Sequence, residues 1–125
     1  DPLWSRGLGD VYKRQALSHA NAKLGTSRSN IDHDGDDQLF VLQWLGTAPK
    51  DNRFHITTEK GHYITKDLSL SGNKHEAGVF SIKDMGNGVG YKVTELHAHK
   101  QLSIQKNGEV SYGDASYLKI YSVTR

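Results

Sequence analysis

The feature that most constrains this chain is that it repeats itself. "LFVLQ" carries Phe40 and Leu42. "VFSIK" carries Phe80 and Ile82, 40 residues later, and "YLKIY" carries Leu118 and Ile120, another 38 on. A second marker keeps that period: "FHIT", with Phe54 and Ile56, returns 37 residues later as "YKVT", with Tyr91 and Val93. A third aligns Leu24 of "AKLGTS" with Ile64 of "HYITKD" and Leu102 of "QLSIQK". A period near 40 residues means that one supersecondary unit is used three times, and that no unit buries its apolar face alone.

Within each unit the apolar residues alternate in short runs, as in half-buried strands. "KNG" at Lys106 predicts a two-residue hairpin turn, since Asn-Gly adopts positive φ cheaply. "MGNGVG", Met85 to Gly90, is a glycine-rich link. Three units of four short strands predict a β-trefoil. Six strands close a barrel, three hairpins cap one end, and closure removes the sheet edges that promote aggregation. The rival, a propeller of three four-stranded blades, falls below the usual blade number. The expected core is Phe40, Leu42, Phe54, Ile56, Ile64, Phe80, Ile82, Tyr91, Val93, Leu102, Ile104, Leu118 and Ile120. The units are placed at about 16–48, 49–86 and 87–125.

The stretches "KGHYITKDLSLS", "VFSIKDMGNGVGYKV", "KQLSIQKNGEVSYG" and "YLKIYSV" resemble the β-trefoils of the fascin, hisactophilin and ricin-B-like superfamily, across nearly all of Ala16 to Arg125. The resemblance implies a fold more than a function, because this fold hosts lectins, actin-bundling proteins, cytokines and protease inhibitors. The Gln-x-Trp signature of ricin-type sugar sites is approached only by "QLF", Gln38 to Phe40. The other units carry Gly78 and Ser116 at the Gln position. In such lectins a sugar stacks on an aromatic ring while acids or amides bind its hydroxyls. The candidate ligand-binding residues are Tyr63, Asp67, Asn73, Trp44, Tyr112 and Asn107. Tyr117, Tyr121 and Asp114 are further groups of the same kind. The second unit, which pairs Tyr63 with the polar loop Lys66 to His75, is the expected sugar site.

Other chemistries find less support. The net charge is +2, which provides no basic stripe for nucleic acid. No apolar run reaches the length of a membrane span. Cysteine is absent, which excludes disulfides, thiolate zinc sites and a thiol nucleophile. "IDHDGDD", Ile31 to Asp37, has calcium-loop composition, but Gly35 and Gln43 occupy the wrong places for an EF-hand, so it reads as a surface loop. "ELHAH" sets Glu95, His97 and His99 two apart, as a metal site on one strand face would. The repeat places that stretch in a turn, so no metal or other cofactor is expected. No nucleophile elbow, phosphate loop or zinc-protease motif occurs, and the chain reads as non-enzymatic.

The opening "DPLWSRGLGDVYKRQ" lacks either period and resembles no signal peptide. Asp10 to Gln15 resembles a translated sequencing-library adapter. The expectation is therefore that residues 1–15 are foreign and that the first strand of the first unit is missing. Asp1 to Gly9 should then be disordered or loosely packed, with Asp10 to Gln15 extended beside the C-terminal strand or not ordered at all. The function expected is non-catalytic, lectin-like binding of a glycan or polysaccharide, within a larger secreted protein. The alternative is a cytoplasmic trefoil that binds actin or another protein.

Overall fold

The computed structural model describes residues 3–10, 16–20, 23–27, 39–105, 109–113 and 117–122. The alternating runs become strands. In chain order these are β1 (Leu3–Asp10), β2 (Ala16–Ala20), β3 (Lys23–Ser27), β4 (Leu39–Trp44), β5 (Phe54–Thr58) and β6 (Tyr63–Ile64). There follow β7 (Leu70–Ser71), β8 (Phe80–Asp84), β9 (Tyr91–Glu95), β10 (Lys100–Ile104), β11 (Val110–Tyr112) and β12 (Leu118–Ser122). A 3-10 turn, Lys74–Glu76, precedes β8, and the described residues contain no α-helix. The protein is all-β.

Every pairing is antiparallel, and the sheet curls. β1 pairs with β4, β4 with β5, β5 with β8, β8 with β9, β9 with β12, and β12 with β1. Three hairpins, β2–β3, β6–β7 and β10–β11, lie outside that circuit. The register repeats as well. Phe40 faces Thr58, Phe80 faces Glu95, and Leu118 faces Asp10.

The core inside the curl is Phe40, Leu42, Ile56, Ile64, Phe80, Val93, Leu102, Ile104 and Leu118, all essentially inaccessible. Phe54, Ile82 and Ile120 pack against it half-buried, while Tyr91 stays outside the cluster. Each fully buried large apolar side chain contributes roughly 1.5–3 kcal/mol. β4 departs from strict alternation, because Leu39 and Val41 are buried along with Phe40 and Leu42. The unbroken run "LFVL" is how a strand covered on both faces is written.

Two expectations are corrected. The first-strand position is filled, not missing. Leu3–Asp10 lies between β4 and β12, with Leu3 opposite Leu42, Arg6 opposite Tyr121 and Asp10 opposite Leu118. The strand beside the C-terminal strand thus begins seven residues before the segment expected there, and Leu3 to Gly9 is a paired strand, not a disordered segment. Backbone N–H and C=O groups on β4 and β12 require partners whatever the side chains are. The register breaks between Arg6 and Gly9, where Gly7 and Gly9 admit a bulge. Residues 11–15 lie outside the described residues. The second correction concerns Leu24. It lies on β3, the returning strand of its hairpin, whereas Ile64 and Leu102 lie on the outgoing strands β6 and β10. Short apolar-polar-apolar motifs do not distinguish the two arms of a hairpin.

Candidate functional site

The β6–β7 hairpin turns through Thr65 to Ser69, and Thr65 organises it. Its N–H donates to Ser69 O at 2.9 Å and its C=O accepts from Leu68 N–H at 3.0 Å. Its hydroxyl lies 2.8 Å from that of Ser69 and accepts from the N–H groups of Asp67 and Ser69 at 3.3 and 3.2 Å. Leu68 takes φ of 61°, which turns the chain back into β7. Such local bonding is how Thr and Ser make turns. It leaves the Lys66 and Asp67 side chains on the outside.

Beyond β7 the chain makes its 3-10 turn. The Asn73 side chain accepts from His75 N–H at 3.0 Å, and the Ser71 hydroxyl donates to Glu76 Oε1 at 2.9 Å. A third wall comes from the turn after β9. There Glu95 is fully buried, and its carboxylate gathers three groups. Oε2 accepts from Val79 N–H at 2.8 Å and lies 3.2 Å from His97 Nδ1, while Oε1 accepts from Ala98 N–H at 2.7 Å. Charge-assisted bonds of this kind are about twice as strong as neutral ones. Glu95 therefore fixes the segment ahead of β8 against the turn carrying His97.

Between these three walls lies a cleft of about 390 Å³, lined by Thr65, Lys66, Asp67, Ser69, His75, Glu76, Ala77 and His97. Its rim carries cationic and anionic groups side by side, with hydroxyls between them. Tyr112 supports it from behind, donating its hydroxyl proton to Lys66 O. Burial, then the negative charges of Glu95 and Asp67, push this phenol up to about 12, so it remains a donor at neutral pH. The arrangement offers hydrogen-bond donors and acceptors side by side.

The expected site residues separate into groups. Asp67 lines the cleft. Asn73 and Tyr112 hold its walls without lining it. Tyr63 is half-buried and lies edge-on to His55, with centroids 5.4 Å apart and planes at 79°. Trp44 is 46% exposed at the far end of β4, where its indole N–H donates to Asp51 O at 2.7 Å. Asn107 lies outside the described residues, as do Gln38, Ser116, Asp114 and the "IDHDGDD" loop. At Gly78 a Cβ would sit 2.9 Å from Phe80 Cε2 and 3.1 Å from the Thr65 carbonyl carbon, so Gln has no room there. Glu95, His97 and His99 do not share a strand face, because β9 ends at Glu95 and the histidines follow in a turn. Among the described residues no cluster is disposed to hold a metal ion, and no helix is long and apolar enough to cross a membrane.

Two structural supports escaped the sequence reading. Glu95 looked like a ligand, although an acid that ends an apolar strand is also placed to cap the next turn. Asn52 gave no signal. Its side-chain amide donates to Ile82 O and accepts from Ile82 N–H, both at 2.9 Å, across 30 residues. Compared with family models, curated proteins and solved structures, the chain matches none of them.

Proposed function

We propose that this chain is a β-trefoil that binds carbohydrate without catalysis, through the cleft between the β6–β7 turn and His97. The fold reading is supported by the pairing circuit of six strands, the three hairpins outside it, and the 37–40-residue spacing of the core motifs. The observation that carries the binding reading is the cleft itself. It combines the Asp67 and Glu76 carboxylates with the Ser69 and Thr65 hydroxyls and two imidazoles. Such a surface recognises sugar hydroxyls by hydrogen bonding. Among the described residues no Phe, Tyr or Trp lines it, so affinity comes chiefly from polar contacts and weak recognition is the expected mode.

The test is a glycan array probed with the full chain and with Asp67→Ala. Retention of a glycan by the parent and its loss in the variant, at unchanged melting temperature, would support the site. Equal retention by both would move the site elsewhere. Retention of no glycan, together with co-sedimentation with actin filaments, would replace this reading with the protein-binding alternative.

A further inference from the structure

The clamp made by Asn52 has a counterpart position that is open. On β8, the rung Phe54–Phe80 is the last between β5 and β8. The next rung would set residue 52 against Ile82, and there the Asn52 carboxamide supplies one N–H and one C=O in place of a backbone. The third unit repeats the geometry up to this point. Tyr91 pairs with Leu118 as Phe54 pairs with Phe80. The preceding links close with the same bond, Leu45 N–H to Arg53 O at 2.8 Å and Met85 N–H to Gly90 O at 3.0 Å. The next rung would set Val89 against Ile120. Valine offers no side-chain amide, the residue is 38% exposed, and its N–H turns back to Gly86 O at 3.0 Å. By strand alternation Ile120 directs its N–H and C=O as Ile82 does, toward the link. Among the described residues no side chain bonds to either group.

At that place lies a second cleft, of about 250 Å³, lined by Asp84, Asn87, Gly88, Gly90, Tyr91, Lys119 and Ile120. The glycine-rich link keeps it open, with Gly86, Gly88 and Gly90 at φ of 82°, 71° and 126°. We propose that this cleft binds a primary carboxamide, which takes the Ile120 N–H and C=O as Asn52 takes those of Ile82. The natural bearers of that group are the side chains of glutamine and asparagine, free or within a peptide. A primary amide presents its N–H and C=O on one side, as the Asn52 side chain does. The trans secondary amide of an N-acetyl sugar presents them on opposite sides and does not fit. The site is therefore separate from the proposed sugar cleft.

The experiment is a titration of the ¹⁵N-labelled full chain, followed at the Ile120 amide resonance. L-Glutamine should shift it saturably, with a dissociation constant on the order of millimolar. L-Glutamate and N-acetylglucosamine should not. A blocked Ala-Gln-Ala peptide distinguishes the two sources: tighter binding than free glutamine assigns the site to a peptide side chain, and weaker binding assigns it to the free amide. Val89→Asn, an exposed substitution, should place a second clamp in the cleft, raise the melting temperature and weaken glutamine binding by at least about tenfold. An Ile120 resonance that ignores glutamine, or responds equally to glutamate, would overturn the proposal. So would a folded Val89→Asn variant that binds glutamine like the parent.

Discussion

The turns that leave β5 and β9 occupy corresponding places and are fastened by different chemistry. Thr58 faces Phe40 and Glu95 faces Phe80, and both are buried at the ends of their strands. Thr58 acts locally. Its N–H donates to His62 O at 2.8 Å, its hydroxyl accepts from His62 N–H at 3.2 Å, and its C=O accepts from Gly61 N–H. Glu95 acts at a distance as well, reaching Val79 sixteen residues back while capping its own turn at Ala98. At Thr58 the hydroxyl serves one neighbour. A carboxylate with two oxygens satisfies several, but it becomes a buried charge that requires all of them. The turn after β9 is thereby the more brittle of the two.

The sharpest test is to truncate both residues. Glu95→Ala leaves the Val79 and Ala98 N–H groups without their acceptor inside the fold and should cost about 3–5 kcal/mol. That is a large share of a typical stability of about 5–15 kcal/mol. Thr58→Val removes one hydroxyl bond and should cost about 1 kcal/mol. Chemical denaturation of the two variants measures the gap. Equal losses would mean that the carboxylate does no more than the hydroxyl.

The β6–β7 turn and the turn after β9 also differ in how their strained residues are used. Leu68, at φ of 61° in the β6–β7 turn, packs half-buried against the core. Leu68→Gly relieves the backbone and loses that packing, and should destabilise by about 1–2 kcal/mol, read as a shift in denaturation midpoint. A stabilised variant would show that the turn tolerates Leu68 without depending on it.

What was legible in the sequence follows the physics of each signal. Burial of Phe40, Phe80 and Leu118 was readable because one repeated motif marks one repeated environment. The glycine link was readable because positive φ has few residue solutions. Leu3–Asp10 was not readable, because its place in the sheet depends on backbone groups that every sequence carries, and its neighbours in the sheet come from remote parts of the chain. Of the cleft, Asp67 and His75 were legible as members of one polar loop. His97, and Glu95 that holds its turn, were not, since they meet that loop only when β8 and β9 pair. The Asn52 clamp was hidden for the same reason: a bond across 30 residues leaves no local pattern.

A smaller effect concerns His55. His55, buried on β5 with its Nδ1 unpartnered, has its pKa lowered by burial and by the charge of Lys74. The folded state thus resists protonation more than the unfolded chain, whose histidine titrates near 6.5. Stability from neutral His55 is present above about pH 6.5 and is lost as pH falls through the lowered folded value. Denaturation midpoints should therefore decline on acidification below about pH 6.5, and His55→Leu should flatten that slope. An unchanged slope would assign the acid sensitivity to other groups.

The smallest expected change lies in the turn after β9. His99 has φ of 55°, close to that of Leu68, yet its side chain is exposed and lies outside the core cluster. A non-glycine residue in this region carries roughly 1–2 kcal/mol of strain. Glycine removes that strain, but its freer unfolded chain returns about 0.4–1 kcal/mol. The balance for His99→Gly is a gain of about 0.5 kcal/mol, opposite in sign to Leu68→Gly. Thermal denaturation of the two variants at neutral pH reads the signs directly. A loss of stability in His99→Gly would mean that the imidazole has a role in the turn that its exposure conceals, and would make the third unit's turn as dependent on its side chains as the second's.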